Sequence, residues 1–389
     1  MSSLINHPVF IFGFAAIIII MLIVDLGVFN KKSHAVSSKE ALSWSIVWIS
    51  LAMIFSWFIY NFIGFEKFTQ FQSAYWIEKA LSVDNLFVFI LVFSFFKVPK
   101  EVHHKVLFWG IIGALVFRAI FIFTGIGLIN STYLGAILQG THNEVSIIVY
   151  HVLLGLFALL FLFFAFKKNG MFAGIMFGIS VLFALILYTH NILQAVGVSV
   201  DPNSIINQFN IVLVLFGCFL LYAGIKSWFA EDDDDEEKDF SDSPGAKAVY
   251  KMFKVSKEFK GDKFFTVENG VKVATPLLVV VGVIEFTDVL FAVDSIPAIF
   301  AIAPDDPFIL YTSNIFAILG LRALYFLLAN FIHMFRLLKY GLAIILSFIG
   351  FKMVIAPIFH ISSPISLLVV GGVLLSSVIL SLVIKPKAA

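Results

Sequence analysis

Six acidic residues stand inside long apolar stretches of this sequence, in positions that lipid alone would not tolerate. They are Asp25, Glu78, Asp84, Glu285, Asp288 and Asp294. Ionisable residues at membrane depth are costly, and they almost always face protein, water or an ion. Their carboxylate oxygens, with the amide of Asn85 and the hydroxyl of Ser295, suit Mn²⁺, Ca²⁺ or Mg²⁺. The absence of a Cys or His cluster at these positions argues against zinc or copper.

The acids recur with one spacing in two separate segments. Glu78 to Asn85 aligns without gaps on Asp288 to Ser295, and each segment reads acid, five residues, Asp, then a small amide or hydroxyl. Two further pairs follow downstream in the same order, Arg118-Ala-Ile-Phe with Arg322-Ala-Leu-Tyr and Gly224-Ile-Lys226 with Gly350-Phe-Lys352. The sequence therefore predicts two copies of a three-helix unit.

The elements that must position these residues are apolar helices. The 389 residues are 60% hydrophobic and 13% charged, with a mean hydropathy of +1.01, whereas soluble domains carry about 25% charged residues. Apolar runs of about twenty residues recur, the length needed to cross about 30 Å of hydrocarbon. We expect an all-α polytopic membrane protein with about 11 transmembrane helices. The predicted spans are 8–29, 41–64, 72–96, 106–129, 145–166, 171–197, 208–229, 274–303, 308–331, 338–358 and 365–384.

The short loops between these spans alternate in charge. Lysines and arginines gather in the loops of one side, and Lys67 alone lies on the other. By the positive-inside rule the lysine-rich side is cytoplasmic, which places the N-terminus outside and the C-terminus in the cytoplasm. The third and eighth spans then run in opposite directions, so the copies are predicted to be inverted repeats related by a pseudo-two-fold axis in the membrane plane. Lys226 and Lys352, near span ends, are interpreted as snorkelling anchors.

Charge and composition divide the chain into five parts. The loop 230–273 opens with an acidic run, continues with Lys-rich sequence and contains a predicted β-hairpin around Asn269-Gly270. It could dock a protein partner or simply stay solvated. A net charge of +1 leaves no broad basic surface for nucleic acid. The predicted parts are two N-terminal helices in 1–64, the first repeat in 65–229 with a two-helix insertion near 133–207, the loop 230–273, the second repeat in 274–358 and a C-terminal helix in 359–389.

Asp84 and Asp294 are predicted to form the centre of the ion site, with Asn85 and Ser295 completing the ligand set. Counted at about 1.5 Å per residue from the charged helix ends, the two aspartates lie roughly 16–20 Å from opposite faces of the membrane. Their carboxylates should therefore approach one another near the midplane. Pro297 lacks a backbone N–H and can free a carbonyl oxygen beside Asp294, and a broken helix is the device expected at a transporter's binding site.

The remaining acids are predicted to surround this centre. Six positions turn a helical side chain by about 120°, so Glu78 and Asp84 do not share a face of a straight helix. Glu78 and Asp288 are therefore assigned to a second layer or to points of ion access, and Glu285 could share the face of Asp288. Asp25, at the inner end of the first span, could assist ion release or be solvated as part of a helix end.

A structural account of the same charges competes with ion binding. Arg118 and Arg322 could neutralise Asp84 and Asp294 as buried ion pairs that hold the helices together. The intramembrane acids outnumber the two arginines, however, which leaves charge for a divalent ion or for protons. Asn314 could bond the central carboxylates or stabilise a helix contact.

Long runs around these residues resemble the TerC/Alx family of integral membrane proteins. The runs are EKALSVDNLFVF at 78–89, FAVDSIPA at 291–298 and TSNIFAILGLR at 312–322. The likeness covers nearly everything except 133–207, and typical members that resemble this chain are expected to lack that insertion. The resemblance implies manganese export from a bacterial cytoplasm across the inner membrane, linked to alkaline pH and to tellurium-resistance operons. It carries the acidic site onto Glu78, Asp84, Asp288 and Asp294.

The favoured interpretation is a secondary transporter, not an enzyme, that exports Mn²⁺ and holds no permanent cofactor. Carboxylate protonation would couple the return step, because a buried carboxylate that loses its cation tends to take up a proton. The main alternative is a membrane scaffold, a metallation partner for exported proteins or a tellurium-resistance component without intrinsic transport, acting through the loop 230–273. An intramembrane aspartyl protease also uses two facing aspartates, but the Gly-x-Gly-Asp signature expected of one is absent.

Overall fold

The computed structural model describes residues 37–131, 210–229, 239–268, 270–304, 306–331 and 337–383, with isolated positions at 21, 155, 159, 162, 177, 180 and 181. These residues form α-helices and one small β-hairpin, apart from short 3₁₀ turns. The helices are α1 (Ser38–Phe62), α2 (Phe65–Phe95), α3 (His103–Ser131), α4 (Ile211–Phe229), α5 (Pro244–Met252), α6 (Pro276–Phe300), α7 (Pro307–Leu319), α8 (Leu321–Phe331), α9 (Leu338–Ile355) and α10 (Ser363–Val383).

Six of the described helices, α1, α3, α4, α6, α9 and α10, are long and apolar enough to cross a membrane, and α7 with α8 would add a seventh span. Helix α2, with 31 residues, is also long enough to cross about 30 Å, but Glu78, Lys79 and Asp84 stand in its middle. The predicted class, an all-α polytopic membrane protein, is thereby confirmed. The spans predicted at 8–29, 145–166 and 171–197 lie outside the described residues, so the total of about 11 helices stays a prediction.

The single helix predicted at 308–331 is wrong, because the structure divides it at Gly320. The two parts, α7 and α8, are bent by 41° relative to one another. A Cβ at Gly320 would lie 2.7 Å from Nζ of Lys79 and 3.2 Å from Cβ of Trp48, so the helix breaks where α1 and α2 press against it. The break expected at Pro297 is absent, since α6 continues through that residue to Phe300.

The third helices of the two predicted copies, α4 and α9, meet through closely packed glycines. A Cβ on Gly224 would lie 2.8 Å from the carbonyl oxygen of Ala343, and a Cβ on Gly350 would lie 2.6 Å from that of Gly217. Each contact becomes the other when every residue is replaced by the one 126 positions away, which is the offset between Gly224 and Gly350. Early positions of one helix face late positions of the other, so the helices are antiparallel. An in-plane two-fold axis requires this pattern, which supports the inverted repeat while leaving it a prediction.

Gly350→Val tests this close approach. We expect a loss of about 1–3 kcal/mol of stability, because the added side chain would overlap the backbone of α4 and force the helices apart. The measurement is the thermal unfolding midpoint of the purified protein in detergent. Gly371→Val in α10 is the control, since a Cβ there meets nothing within 4 Å. Equal losses at both positions would contradict the packing described for α4 and α9.

Two ion pairs mark opposite ends of the helix bundle. Lys67, at the start of α2, lies 2.6 Å from Asp306, which also caps α7 by accepting a hydrogen bond from the backbone N–H of Ile309. Lys105, near the start of α3, lies 2.9 Å from the carboxylate of Asp262 and also donates to its backbone oxygen. The long loop therefore docks on the end of the bundle away from Lys67.

The predicted hairpin in the long loop is confirmed. Strand β1 (Phe265–Glu268) pairs antiparallel with β2 (Val271–Ala274), and Glu268 is opposite Val271. Gly270 has φ of 76°, which the turn requires and which glycine adopts without strain. The other predicted turn residue, Asn269, lies outside the described residues.

Docking of the long loop is expected to weaken in acid. The hydrogen bond and charge of Lys105 hold the pKa of Asp262 below its ordinary value. At every pH above that ordinary value, the ion pair therefore stabilises the docked loop in full. The contribution is lost as the pH falls from about 3.9 through the lower pKa of the docked state. Because the Asp262 side chain is 65% exposed, the effect should stay below about 1 kcal/mol.

Limited proteolysis of residues 239–268 measures this docking. Cleavage should accelerate below pH about 4, when Asp262 becomes protonated. Lys105→Gln should raise cleavage at neutral pH and reduce the further effect of acid. Lys260→Gln, which alters an exposed lysine of the same loop, should behave as the unchanged protein does. A Lys105 variant with unchanged cleavage would rule out this contact as a docking point.

Candidate functional site

A buried arginine joins acids from the two predicted copies. Nη1 of Arg118, on α3, donates to Oε1 of Glu78 on α2, and Nη2 lies 3.3 Å from Oδ1 of Asp288 on α6. The three side chains are 1%, 0% and 4% exposed respectively. Buried charges of this kind are stable only when they are paired and hydrogen-bonded. Arg118 therefore holds α2, α3 and α6 together at one point.

Amides and a hydroxyl complete the hydrogen bonding of this cluster. Oδ1 of Asn314, on α7, accepts from Nη1 of Arg118 at 3.2 Å, and its Nδ2 donates to Oε2 of Glu78 at 3.5 Å. Nδ2 of Asn85 donates to Oδ1 of Asp288 at 3.5 Å, and Oγ of Ser82 donates to Oε1 of Glu78 at 3.1 Å. Asn314 thus bonds Glu78, an acid assigned to the second layer, and its predicted bond to the central carboxylates of Asp84 and Asp294 stays a prediction.

Several oxygens near this cluster are buried without a hydrogen-bond partner among the described residues. They are Oδ2 of Asp288, Oε2 of Glu285 and Oγ of Ser295. The carboxylate of Glu285 lies against Gly113 of α3, where any Cβ would overlap it. Unsatisfied buried acceptors are rare, and each calls for a proton, a water molecule or an ion.

The described residues do not by themselves form a complete metal centre. No group of three His, Cys, Asp or Glu side chains within them is arranged to hold a metal ion. Asp84 and Asp294 have backbones within α2 and α6, but their side chains lie outside the described part of the structure, as does all of Asp25. The arrangement predicted for the two central aspartates therefore stays a prediction.

The described partners of Arg118 differ from those expected. The structural account had Arg118 and Arg322 neutralise Asp84 and Asp294, whereas Arg118 pairs with Glu78 and Asp288, the acids assigned to the second layer. Arg322 of α8 is 1% exposed and lines a small cavity of about 10 Å³ together with Asp288. The acids of the second layer thus lie at the junction of the two copies.

Lys79 is a buried cation that the sequence interpretation passed over. Its side chain is buried, and Nζ donates to the carbonyl oxygen of Ala317 at 3.1 Å, in the last turn of α7. An ammonium at this end stabilises the helix, because its last carbonyls are unpaired and carry the negative end of its dipole. The available signal was a lysine directly after Glu78 inside an apolar run, with Val289 at the matching position of the second copy.

Lys352 is not the snorkelling anchor that its position predicted. The residue is 5% exposed, and Nζ donates to Oγ of Ser366 at 2.9 Å. Its counterpart Lys226 is exposed. The difference arises because α10 packs beside α9 and covers Lys352, a contact that hydropathy along the chain does not reveal.

Comparison with known proteins agrees with the helical membrane architecture. The integral membrane protein TerC family matches residues 63–169 and 165–389. An uncharacterized membrane protein of Myxococcus xanthus is 36% identical over 95% of this chain and 91% of its own length. An Escherichia coli K12 protein with the provisional name membrane-bound redox modulator Alx is 35% identical over 95% of this chain and 92% of its own length. No solved structure matches.

The alignments with these relatives extend over 95% of this chain. Whether they lack residues 133–207 stays a prediction. A family match covering most of the chain, together with relatives above 30% identity along nearly their whole length, establishes the kinship. This chain belongs to the TerC family of integral membrane proteins.

Proposed function

We propose that this protein is a secondary transporter that exports divalent metal, Mn²⁺ above others, from the cytoplasm in exchange for protons. The observation that carries the proposal is the meeting of Glu78 and Asp288, one from each predicted copy, at Arg118. Buried carboxylate oxygens beside them have no hydrogen-bond partner among the described residues. Ionisable groups at membrane depth mark ion pathways. Hard oxygen ligands favour Mn²⁺, Ca²⁺ and Mg²⁺ over softer metals.

Charge counting supports exchange of one divalent cation for two protons. Three acids on the described helices around Arg118 are matched by three cations, so their formal charges cancel, while the buried Lys352 lies apart from them, near the Lys67 end of the bundle. The acids are Glu78, Glu285 and Asp288, and the cations are Lys79, Arg118 and Arg322. Asp84 and Asp294 add two further negative charges from α2 and α6, which one divalent ion or two protons would neutralise. We therefore expect exchange without net charge movement.

The test is metal uptake into inverted vesicles or proteoliposomes that contain the intact protein, with Mn²⁺ compared against Ca²⁺ and Mg²⁺. An acidic interior should drive saturable Mn²⁺ uptake, and an imposed membrane potential alone should not. If Mn²⁺ uptake does not depend on the pH gradient, the proposed exchange for protons is wrong, while the proposed metal site is still supported. Uptake that follows the membrane potential would contradict the two-proton count.

The competing function is a scaffold or metallation partner that transports nothing. The docked loop motivates it, because Lys105 and Asp262 hold that loop against the helix bundle. It predicts that deletion of 230–273 abolishes function in cells, while well-folded intact protein shows no uptake in vesicles. A redox role through an internal disulfide does not fit this chain, which has one cysteine, Cys218.

We place the protein in the inner membrane of a bacterium, with the N-terminus outside and the C-terminus in the cytoplasm. The charged ends support this orientation, because Lys67 stands alone at one end and the lysine-rich loops lie at the other. Protease digestion of sealed inverted vesicles tests it. The loop 230–273 should be cleaved in inverted vesicles and protected in right-side-out ones.

A further inference from the structure

A cavity of about 700 Å³ opens at the end of the bundle that carries Lys67 and Asp306. Its walls come from the start of α2, the start of α4, the ends of α6 and α9, and the segment that leads into α10. The polar groups on its walls include Glu66, Gln70, Asn210, Lys352, His360 and Ser363. None of these residues belongs to the cluster around Arg118.

Lys352 brings a buried positive charge to this cavity. The residue is 5% exposed, and Oγ of Ser366 is the one hydrogen-bond partner of Nζ within the described part of the chain. Ser366 is a neutral partner, and no described carboxylate lies within 4.0 Å of Nζ. An ammonium has three N–H donors, and a buried charge without an opposite charge is unfavourable. The group is therefore suited to hold an anion.

The N-terminus of α10 adds a second positive contribution at the same place. The helix starts at Ser363, and both Ser363 and Pro364 line the cavity. Its 21 residues include no acid in the first turn, so no carboxylate of the helix itself neutralises the positive end of its dipole. Free N–H groups and the dipole together favour a bound anion at such an end.

Gln70 and Asn210 are polar but neutral parts of the cavity wall. Gln70 is 9% exposed and lines the cavity, but its Oε1 is buried and therefore does not face the open space. Asn210 is already bonded, because it donates to the carbonyl of Ile129 and accepts from the N–H of Leu213. The positive character of the wall therefore comes from Lys352 and the start of α10.

We propose that this cavity binds a phosphate-type oxyanion, held by Nζ of Lys352 and the N-terminus of α10. Inorganic phosphate supplies the negative oxygens, and a phospholipid head group supplies the same oxygens. Glu66 is exposed and lies at the rim, where its charge is screened by water.

The experiment measures binding to the purified full-length protein in nanodiscs, without metal, so its result is independent of the proposed transport. Radioactive inorganic phosphate tests the free anion by equilibrium dialysis, and native mass spectrometry detects retained phospholipid. Lys352→Gln should weaken binding about tenfold or more, because a charge-assisted hydrogen bond is lost. Lys226→Gln, the exposed counterpart in the first copy, should bind as the intact protein does.

Binding of either inorganic phosphate or phospholipid would support the site if Lys352→Gln abolishes that binding and Lys226→Gln does not. Lys352→Arg should retain binding, which separates loss of charge from loss of fold, and each variant must elute as a single species. The proposal is overturned if the intact protein binds neither inorganic phosphate nor phospholipid phosphate. It is also overturned if Lys352→Gln and Lys226→Gln reduce binding equally, because the phosphate would then be adsorbed by surface charge.

Discussion

Asp84→Asn and Asp294→Asn are each expected to reduce saturable Mn²⁺ uptake by about 100-fold or more. Removal of an outer partner of a metal ligand already costs about 10–100-fold, and loss of a charged ligand should exceed that. Asparagine keeps the size of the side chain and one carbonyl oxygen, so the variants should still insert and fold. The measurement is the initial rate of Mn²⁺ uptake into inverted vesicles, normalised to the amount of protein in the membrane.

Two further variants make this result interpretable. Asp242→Asn changes an acid whose side chain is 79% exposed in the long loop, and it should transport at the intact rate. Asp288→Asn alters the cluster at Arg118. If Asp84→Asn and Asp294→Asn transport normally while Asp288→Asn does not, the metal ion is held by the acids around Arg118. The predicted central pair is then wrong.

Arg118→Leu is expected to destabilise the protein by about 3–5 kcal/mol, since loss of one partner leaves an uncompensated buried charge. Glu78 and Asp288 are both almost completely buried, and both have Arg118 as their ion-pair partner. The stability of Arg118→Lys should fall between that of the intact protein and that of Arg118→Leu, because one ammonium cannot reproduce a planar guanidinium that reaches two carboxylates. Thermal unfolding in detergent measures the effect.

Neutralising one of the two acids tests whether unpaired buried charge causes the loss of stability. Glu78→Gln combined with Arg118→Leu should recover part of the lost stability, because fewer unpaired charges remain buried. Lys226→Leu, at an exposed position in α4, should leave the unfolding midpoint nearly unchanged. An Arg118→Leu protein as stable as the intact one would mean that the two carboxylates are protonated or bound to another cation.

These two sets of variants separate the roles of the intramembrane acids. Loss of Arg118 should lower stability even in a protein that transports nothing, because its ion pairs hold three helices together. Loss of charge at Asp84 or Asp294 should abolish uptake with little effect on unfolding. A scaffold without transport would still lose stability when Arg118 is replaced, but the intact protein would show no Mn²⁺ uptake.

The sequence by itself determined the membrane class and the positions of most described helices. Long apolar runs leave the chain little choice, because every backbone polar group in lipid must be satisfied within its own helix. The described helices α6 and α10 accordingly begin and end within a few residues of the predicted spans. The hairpin followed from local turn chemistry, since glycine at 270 adopts positive φ freely. The intramembrane acids were visible for the same reason, as exceptions to apolar composition.

Only the tertiary structure decided which charges meet. Glu78 and Asp288 are 40 and 170 residues from Arg118 in sequence, and nothing in hydropathy says that one guanidinium reaches both. The break at Gly320 depends on Lys79 and Trp48 pressing from other helices. Lys352 is buried because α10 packs over it, whereas its sequence counterpart Lys226 stays exposed. Periodicity and composition describe one helix at a time, while the partner of a buried charge is set by how neighbouring helices pack.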